Sequence, residues 1–172
     1  MSAMRALVVY ESMFGNTKMI AEEVARGLAA HMVVEIQEVG TAAPDLPGDV
    51  ALLVVGGPTH VFGMTRASTR QSAAQQADGA LVSPGNGIRE WLSALRVATP
   101  VAAAAFDTRV RAAYLPGSAA KAAHKALRRH GLRAVGRPMS FYVTGTKGPL
   151  EESEERRAHE WGESLAAAMA IA

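Results

Sequence analysis

Apolar residues are grouped in short, nearly unbroken runs separated by stretches of helical periodicity. Arg5-Ala-Leu-Val-Val-Tyr10, Val33-Val-Glu-Ile36, Val50-Ala-Leu-Leu-Val-Val55, Val101 to Phe106 and Met139-Ser-Phe-Tyr-Val143 are runs of strand length. Runs that are apolar on both faces suit strands of a parallel sheet covered by helices on each side. Between them, Ile20, Val24 and Leu28 recur every four residues within 18–30, and Ile88, Trp91, Leu92 and Leu95 form a second stripe in 87–95. Residues 118–130 are Ala-rich with Lys and Arg toward the end, and Gly131 is placed to cap that helix. The segment 151–170 reads as a final helix, with four glutamates early and Trp161, Leu165 and Met169 on its buried stripe.

This alternation predicts a doubly wound α/β domain spanning 1–172: a three-layer sandwich around a five-stranded parallel sheet of order 2-1-3-4-5, with the first strand central. Pro44, Pro47 and Gly48 replace the helix otherwise expected before the third strand. Residues 66–84 are a polar insertion rich in Ser, Thr, Gln and Ala. A surface helix plus loop is one reading of it, and a lid or partner-binding excursion beside a site is the other.

Composition narrows the chemistry. There is no cysteine, which excludes disulfide scaffolds, thiolate metal sites and thiol nucleophiles. The 172 residues hold 18 Lys plus Arg against 16 Asp plus Glu, a net +2 that does not suggest nucleic-acid binding. No apolar run is long enough to span a membrane, and the start lacks the pattern of a signal peptide, so a cytoplasmic protein is expected.

The first strand runs into Tyr10-Glu-Ser-Met-Phe-Gly-Asn-Thr17 and then a helix. Free amides at a helix N-terminus attract anions. Ser12, Asn16 and Thr17 add neutral donors, Gly15 allows close approach, and the nearest cation is Lys18, just outside the loop. The same residues would also serve simply as a helix cap. Neither G-x-x-x-x-G-K-[ST] nor G-x-G-x-x-G follows a strand here, which argues against nucleoside triphosphate hydrolysis and conventional dinucleotide binding. After the third strand comes Gly56-Gly-Pro-Thr-His-Val-Phe-Gly63, and after the fourth Phe106-Asp-Thr-Arg109. In a 2-1-3-4-5 sheet these loops flank the topological switch point, where ligands bind.

The Ser12–Thr17 loop resembles the FMN phosphate loop of the flavodoxin family, and most closely that of flavodiiron flavodoxin domains. The resemblance covers nearly the whole chain in order of elements. It implies FMN as cofactor, held at its phosphate by Ser12, Met13, Phe14, Gly15, Asn16 and Thr17. Pro58, Thr59, His60, Val61, Phe62 and Gly63 would hold one side of the flavin ring, and Phe106, Asp107 and Thr108 the other. It further implies either an electron carrier serving a redox partner protein or an oxidoreductase acting on a small, quinone-like acceptor. His60 is a candidate proton or hydrogen-bond donor. Arg109 or Arg111 would favour the reduced flavin if either reached its pyrimidine end, with Asp107 opposing.

Two features depart from the family. The chain is slightly basic where carrier flavodoxins are strongly acidic, and neither ring loop has the Trp and Tyr that commonly stack on the flavin. Two other readings of the fold stay open: a receiver-type signalling domain and an interaction module that has lost flavin. Glu11 alone, with Gly56-Gly57 where a receiver needs Asp, speaks against the first.

Overall fold

The computed structural model describes residues 4–60, 63–111 and 117–171. One parallel sheet carries β1 (Arg5–Tyr10), β2 (Val33–Glu38), β3 (Val50–Pro58), β4 (Ala102–Val110), β5 (Arg133–Ala134) and β6 (Met139–Val143). The helices are α1 (Asn16–Leu28), α2 (Ala67–Gln76), α3 (Ile88–Ala94), α4 (Ala119–Arg129) and α5 (Glu154–Ala170). Strand order is β2-β1-β3-β4-β5, with β6 also paired to β4. The predicted order therefore holds, but the middle strand is β3, and β1 lies one place to its side.

The fifth strand position is filled in two pieces. β5 pairs with Ala102 and Ala103, and β6 pairs with Phe106 to Val110. Between them Gly136 adopts φ +69° and Pro138 has no N–H to give, so the chain leaves the ladder and rejoins it. β3 and β4 run farther than their apolar runs suggest. Gly56, Gly57 and Pro58 pair with Phe106, Asp107 and Thr108, so both ring loops begin as adjacent strand ends.

Side chains alternate between two cores. Leu7, Val9, Leu53, Val55, Ala103 and Ala105 face α3 and α4, whereas Ala6, Val8, Leu52, Val54, Ala104 and Phe106 face α1 and α5. Both tryptophans are core residues, as their helix stripes predict. Trp91 donates its Nε1–H to the Ala42 carbonyl, and Trp161 packs edge-on against Phe106. The loop replacing the second crossover helix is fixed by reciprocal backbone bonds of Pro44 and Leu46 with Arg96.

The insertion contains α2, a surface helix on which only Ala73 is buried. Its return limb runs along the anion loop: the Val82 and Ser83 amides donate to the Met13 and Ser12 carbonyls. α5 starts later than its first glutamates. Glu151 donates its amide to the Tyr142 carbonyl, and Ser153 takes φ 69° before the helix begins.

Candidate functional site

At the carboxyl ends of β1, β3 and β4 lies an open cleft. Its floor is the turn from β1 into α1. Gly15 caps α1 at φ 101°, a conformation that glycine adopts without strain. Ser12 is fully buried; its amide donates to Ser83 Oγ (3.0 Å), and its Oγ accepts from the Gly15 amide (3.1 Å). The Ser12 hydroxyl proton therefore has no use within this turn. Thr17 Oγ1 lies 2.7 Å from Thr108 Oγ1, and that pair consumes one of its two hydroxyl protons. The first-turn amides of α1 have no carbonyl within the helix to bond. The result is a set of neutral donors converging at the positive end of a helix dipole, which suits a phosphate group.

Asn16 has a second task. Its side-chain amide donates to the Lys147 carbonyl (3.1 Å) and holds the 144–149 loop against α1. Gly148, at φ +94°, sits so close that a Cβ there would lie 2.5 Å from Asn16 Oδ1. Lys147 Nζ meets Asp78 of the insertion at 3.3 Å, tying two rims of the cleft together.

One wall is Pro58, Thr59 and His60, and the other is Thr108, Arg109, Val110 and Val143, with Thr146 at the rim. Thr59 is braced from below: its hydroxyl donates to Asp107 Oδ2 (2.9 Å) and accepts from the Ala119 amide (2.9 Å). The His60 and Gly63 backbones exchange hydrogen bonds. Burial, helped by the Arg70 charge, holds the His60 imidazole below its ordinary pKa, so it is neutral near pH 7. Its Nδ1 is buried with no partner among the described residues. Arg109 is steadied by its bond to the Gly117 carbonyl (2.9 Å).

Of the residues singled out in the sequence, Ser12, Met13, Phe14, Asn16, Thr17, Pro58, Thr59, His60 and Thr108 line this cleft. Gly15 shapes its floor, and Gly63 is bonded through its backbone to His60. Val61 and Phe62 lie outside the described residues. Phe106 and Asp107 do not line it. Phe106 is 0% exposed and fills the space above Gly56, where a Cβ would lie 2.0 Å from its ring. Asp107 is equally buried and accepts from the Ala120 amide at the start of α4 (3.0 Å). Arg111 turns away to Glu151 (3.1 Å) and stacks over the Tyr142 ring. Sequence reasoning missed Val110, Val143, Thr146 and the brace from Ser83. Only Thr146 carried a signal: it lies in Gly145-Thr-Lys-Gly-Pro149 after the last strand, a turn whose sequence pointed to Lys147 as the residue nearest the site, whereas Thr146 lines the cleft.

Behind the Pro58–His60 wall, Glu11 is 1% exposed. Its Oε1 accepts from the Ile88 amide (2.8 Å) and its Oε2 from Thr65 Oγ1 (2.6 Å). Burial outweighs these bonds and the nearby Arg70 charge, with Glu90 adding to it, and raises the carboxyl pKa. The native state then keeps a proton that the unfolded chain has released, so this group's contribution to stability falls as pH rises from the ordinary carboxyl value of about 4.5 through the raised native value. Glu11→Gln should abolish that component. In urea titrations at successive pH values, wild type should lose stability relative to the variant as pH rises; a constant difference would contradict it.

The flavodoxin family model matches residues 8–161. No curated protein matches the chain. Among solved structures, it is similar to a flavodoxin from the domain Archaea (TM-score 0.68, 18% identity, 97% of this chain and 99% of that one). It is also similar to flavodoxin 1 of Bacillus cereus (TM-score 0.68, 16% identity, 95% and 97%). The flavodiiron core of Flv1 from Synechocystis gives a TM-score of 0.65 at 18% identity, over 98% of this chain but 36% of that one. Among the described residues, no helix is long and apolar enough to cross a membrane, and no acidic or His cluster could hold a metal. With the family match running from β1 into α5, over a sheet of the predicted order, the chain belongs to the flavodoxin family, whose cofactor is FMN.

Proposed function

We propose that the chain binds FMN in this cleft and carries electrons between a reductase and an acceptor. The observation that carries the reading is the neutral cradle of Ser12, Gly15 and Thr17 at the head of α1, set at the β1–β3 switch point. FMN supplies the redox chemistry when bound. The protein's share is to hold and tune it. Ser12, Thr17 and the first-turn amides of α1 would take the phosphate without any cation. Pro58, Thr59 and His60 on one wall and Thr108 to Val110 on the other would confine the ring. Arg109 would put a positive charge beside it, which favours the more negative reduced form. His60, being neutral, would offer a hydrogen bond rather than a charge.

A second reading, direct reduction of a small quinone-like acceptor, has one supporting observation. An open depression beside α2, lined by Phe14, His60, Thr69, Ala73 and Thr146, adjoins the cleft, and a second small molecule would sit there. Flavin titration tests the common core of both readings. Adding the protein to FMN should quench flavin fluorescence and give a yellow, saturable complex; unchanged fluorescence would reject it. With FMN bound, turnover of a quinone by NAD(P)H without another protein would favour the enzyme. Turnover only with an added reductase would favour the carrier.

A further inference from the structure

The charges of this chain are strongly segregated. Residues 108–150 contain nine Lys and Arg and no Asp or Glu, whereas the rest contains nine Lys and Arg against sixteen Asp and Glu. A chain with a net charge near zero is therefore a basic flank joined to an acidic body. The flank is built on α4 and the strand after it. Lys121, Lys125 and Arg128 follow one another at i, i+4 and i+7, and so share a face; Arg129, Arg133 and Arg137 extend it. All six are exposed. Among the described residues, none of them forms an ion pair.

The helix itself does not account for this. The dipole favours Arg128 and Arg129 in the last turn, but it disfavours Lys121 in the first, where no acidic residue offsets it. Like charges four residues apart also repel. The flank begins at the cleft: the amides of Ala119 and Ala120, next to Lys121, bond Thr59 and Asp107 behind its walls. From there α4 carries its charges about 16 Å along one side of the sheet.

We propose that this flank is a docking surface for a protein partner with a localised acidic patch, seated along the side of the sheet from the cleft end of α4 toward the amino end of β4. A partner of limited size fits the segregation best. An extended polyanion, such as duplex nucleic acid or an anionic membrane, would meet the acidic body as well as the basic flank and be repelled by it. An acidic patch on a protein matches the flank alone, and the opposed fields orient it as it approaches. The inference does not depend on FMN.

The test uses the full chain without flavin and a fluorescein-labelled deca-glutamate peptide, followed by anisotropy. Binding should weaken as salt rises. Combined Lys121→Glu, Lys125→Glu and Arg128→Glu should reduce it about tenfold or more. Combined Arg66→Glu, Arg96→Glu and Arg156→Glu changes net charge equally at scattered exposed sites and should reduce it much less. Equal losses in the two triple variants would overturn the proposal. So would tighter binding to a 20-base-pair duplex or to phosphatidylserine vesicles than to the peptide, or no peptide binding at low salt. Circular dichroism of both variants separates lost binding from lost structure.

Discussion

Replacing Ser12 and Thr17 together by alanine should weaken FMN binding by upwards of about a hundredfold. In the proposed pose each hydroxyl gives one hydrogen bond to a charged phosphate, worth about 1.5–3 kcal/mol, so the pair contributes about 3 kcal/mol or more. The structure gives both groups a proton to spend. Ser12 Oγ is an acceptor within its own turn, and the Thr17–Thr108 contact uses one of that pair's two hydroxyl protons, so with Thr108 donating the Thr17 proton is free for the phosphate. No Lys or Arg within the loop could take over their work. Riboflavin, which lacks the phosphate, provides the control: its affinity should barely change in the double variant. Thr17→Ser, which keeps the hydroxyl, should bind nearly as well as wild type. Fluorescence titration with both flavins decides it. Unchanged FMN affinity, or an equal loss for riboflavin, would move the phosphate elsewhere.

That prediction could be framed from sequence because its loop is local. Ser12 and Gly15 bond each other across three residues, and Thr17 sits in the first turn of the helix they start, and such geometry is written in residue order. Strands covered on both faces are legible for a similar reason: β1 and β3 must be apolar throughout. The misreading of Phe106 has the opposite origin. An apolar residue near the end of a strand faces either the ligand or the core, and the choice depends on its register with Gly56, fifty residues earlier. Gly56 provides the space that Phe106 fills, and no single stretch of sequence displays both. Ser83 was hidden likewise, because it reaches Ser12 across 71 residues from within a polar insertion. The interruption between β5 and β6 did have a local sign, in Gly136 and Pro138, but two residues of strand are too few to show a period.

Gly162→Ala should destabilise the fold by about 3 kcal/mol, although alanine is the better helix former by about 1 kcal/mol. α1 and α5 cross with Gly27 against Gly162, backbone on backbone. A Cβ at Gly162 would stand 2.3 Å from the Val24 carbonyl oxygen and 3.1 Å from the Gly27 Cα, while one at Gly27 would meet the His159 carbonyl oxygen at 2.2 Å. Backbone atoms have no rotamer to change, so the helices must part, and Trp161 and Leu165 must lift from the core they share with α1. For a chain of this size the loss corresponds to a fall in Tm of about 6–12 °C, measurable by thermal melts and by the urea midpoint. A neutral or stabilising result would mean that the two helices do not cross backbone on backbone. The effect should also reach the cleft, because α1 presents the Ser12–Thr17 turn at its own N-terminus. Shifting α1 against the sheet moves the Thr17 hydroxyl relative to Thr108 on β4, a contact that spans 91 residues and joins the cradle to the opposite wall. The stabilisation gained on adding FMN should therefore be smaller in Gly162→Ala than in wild type, even though residue 162 lies in a helix that contributes nothing to the cleft lining.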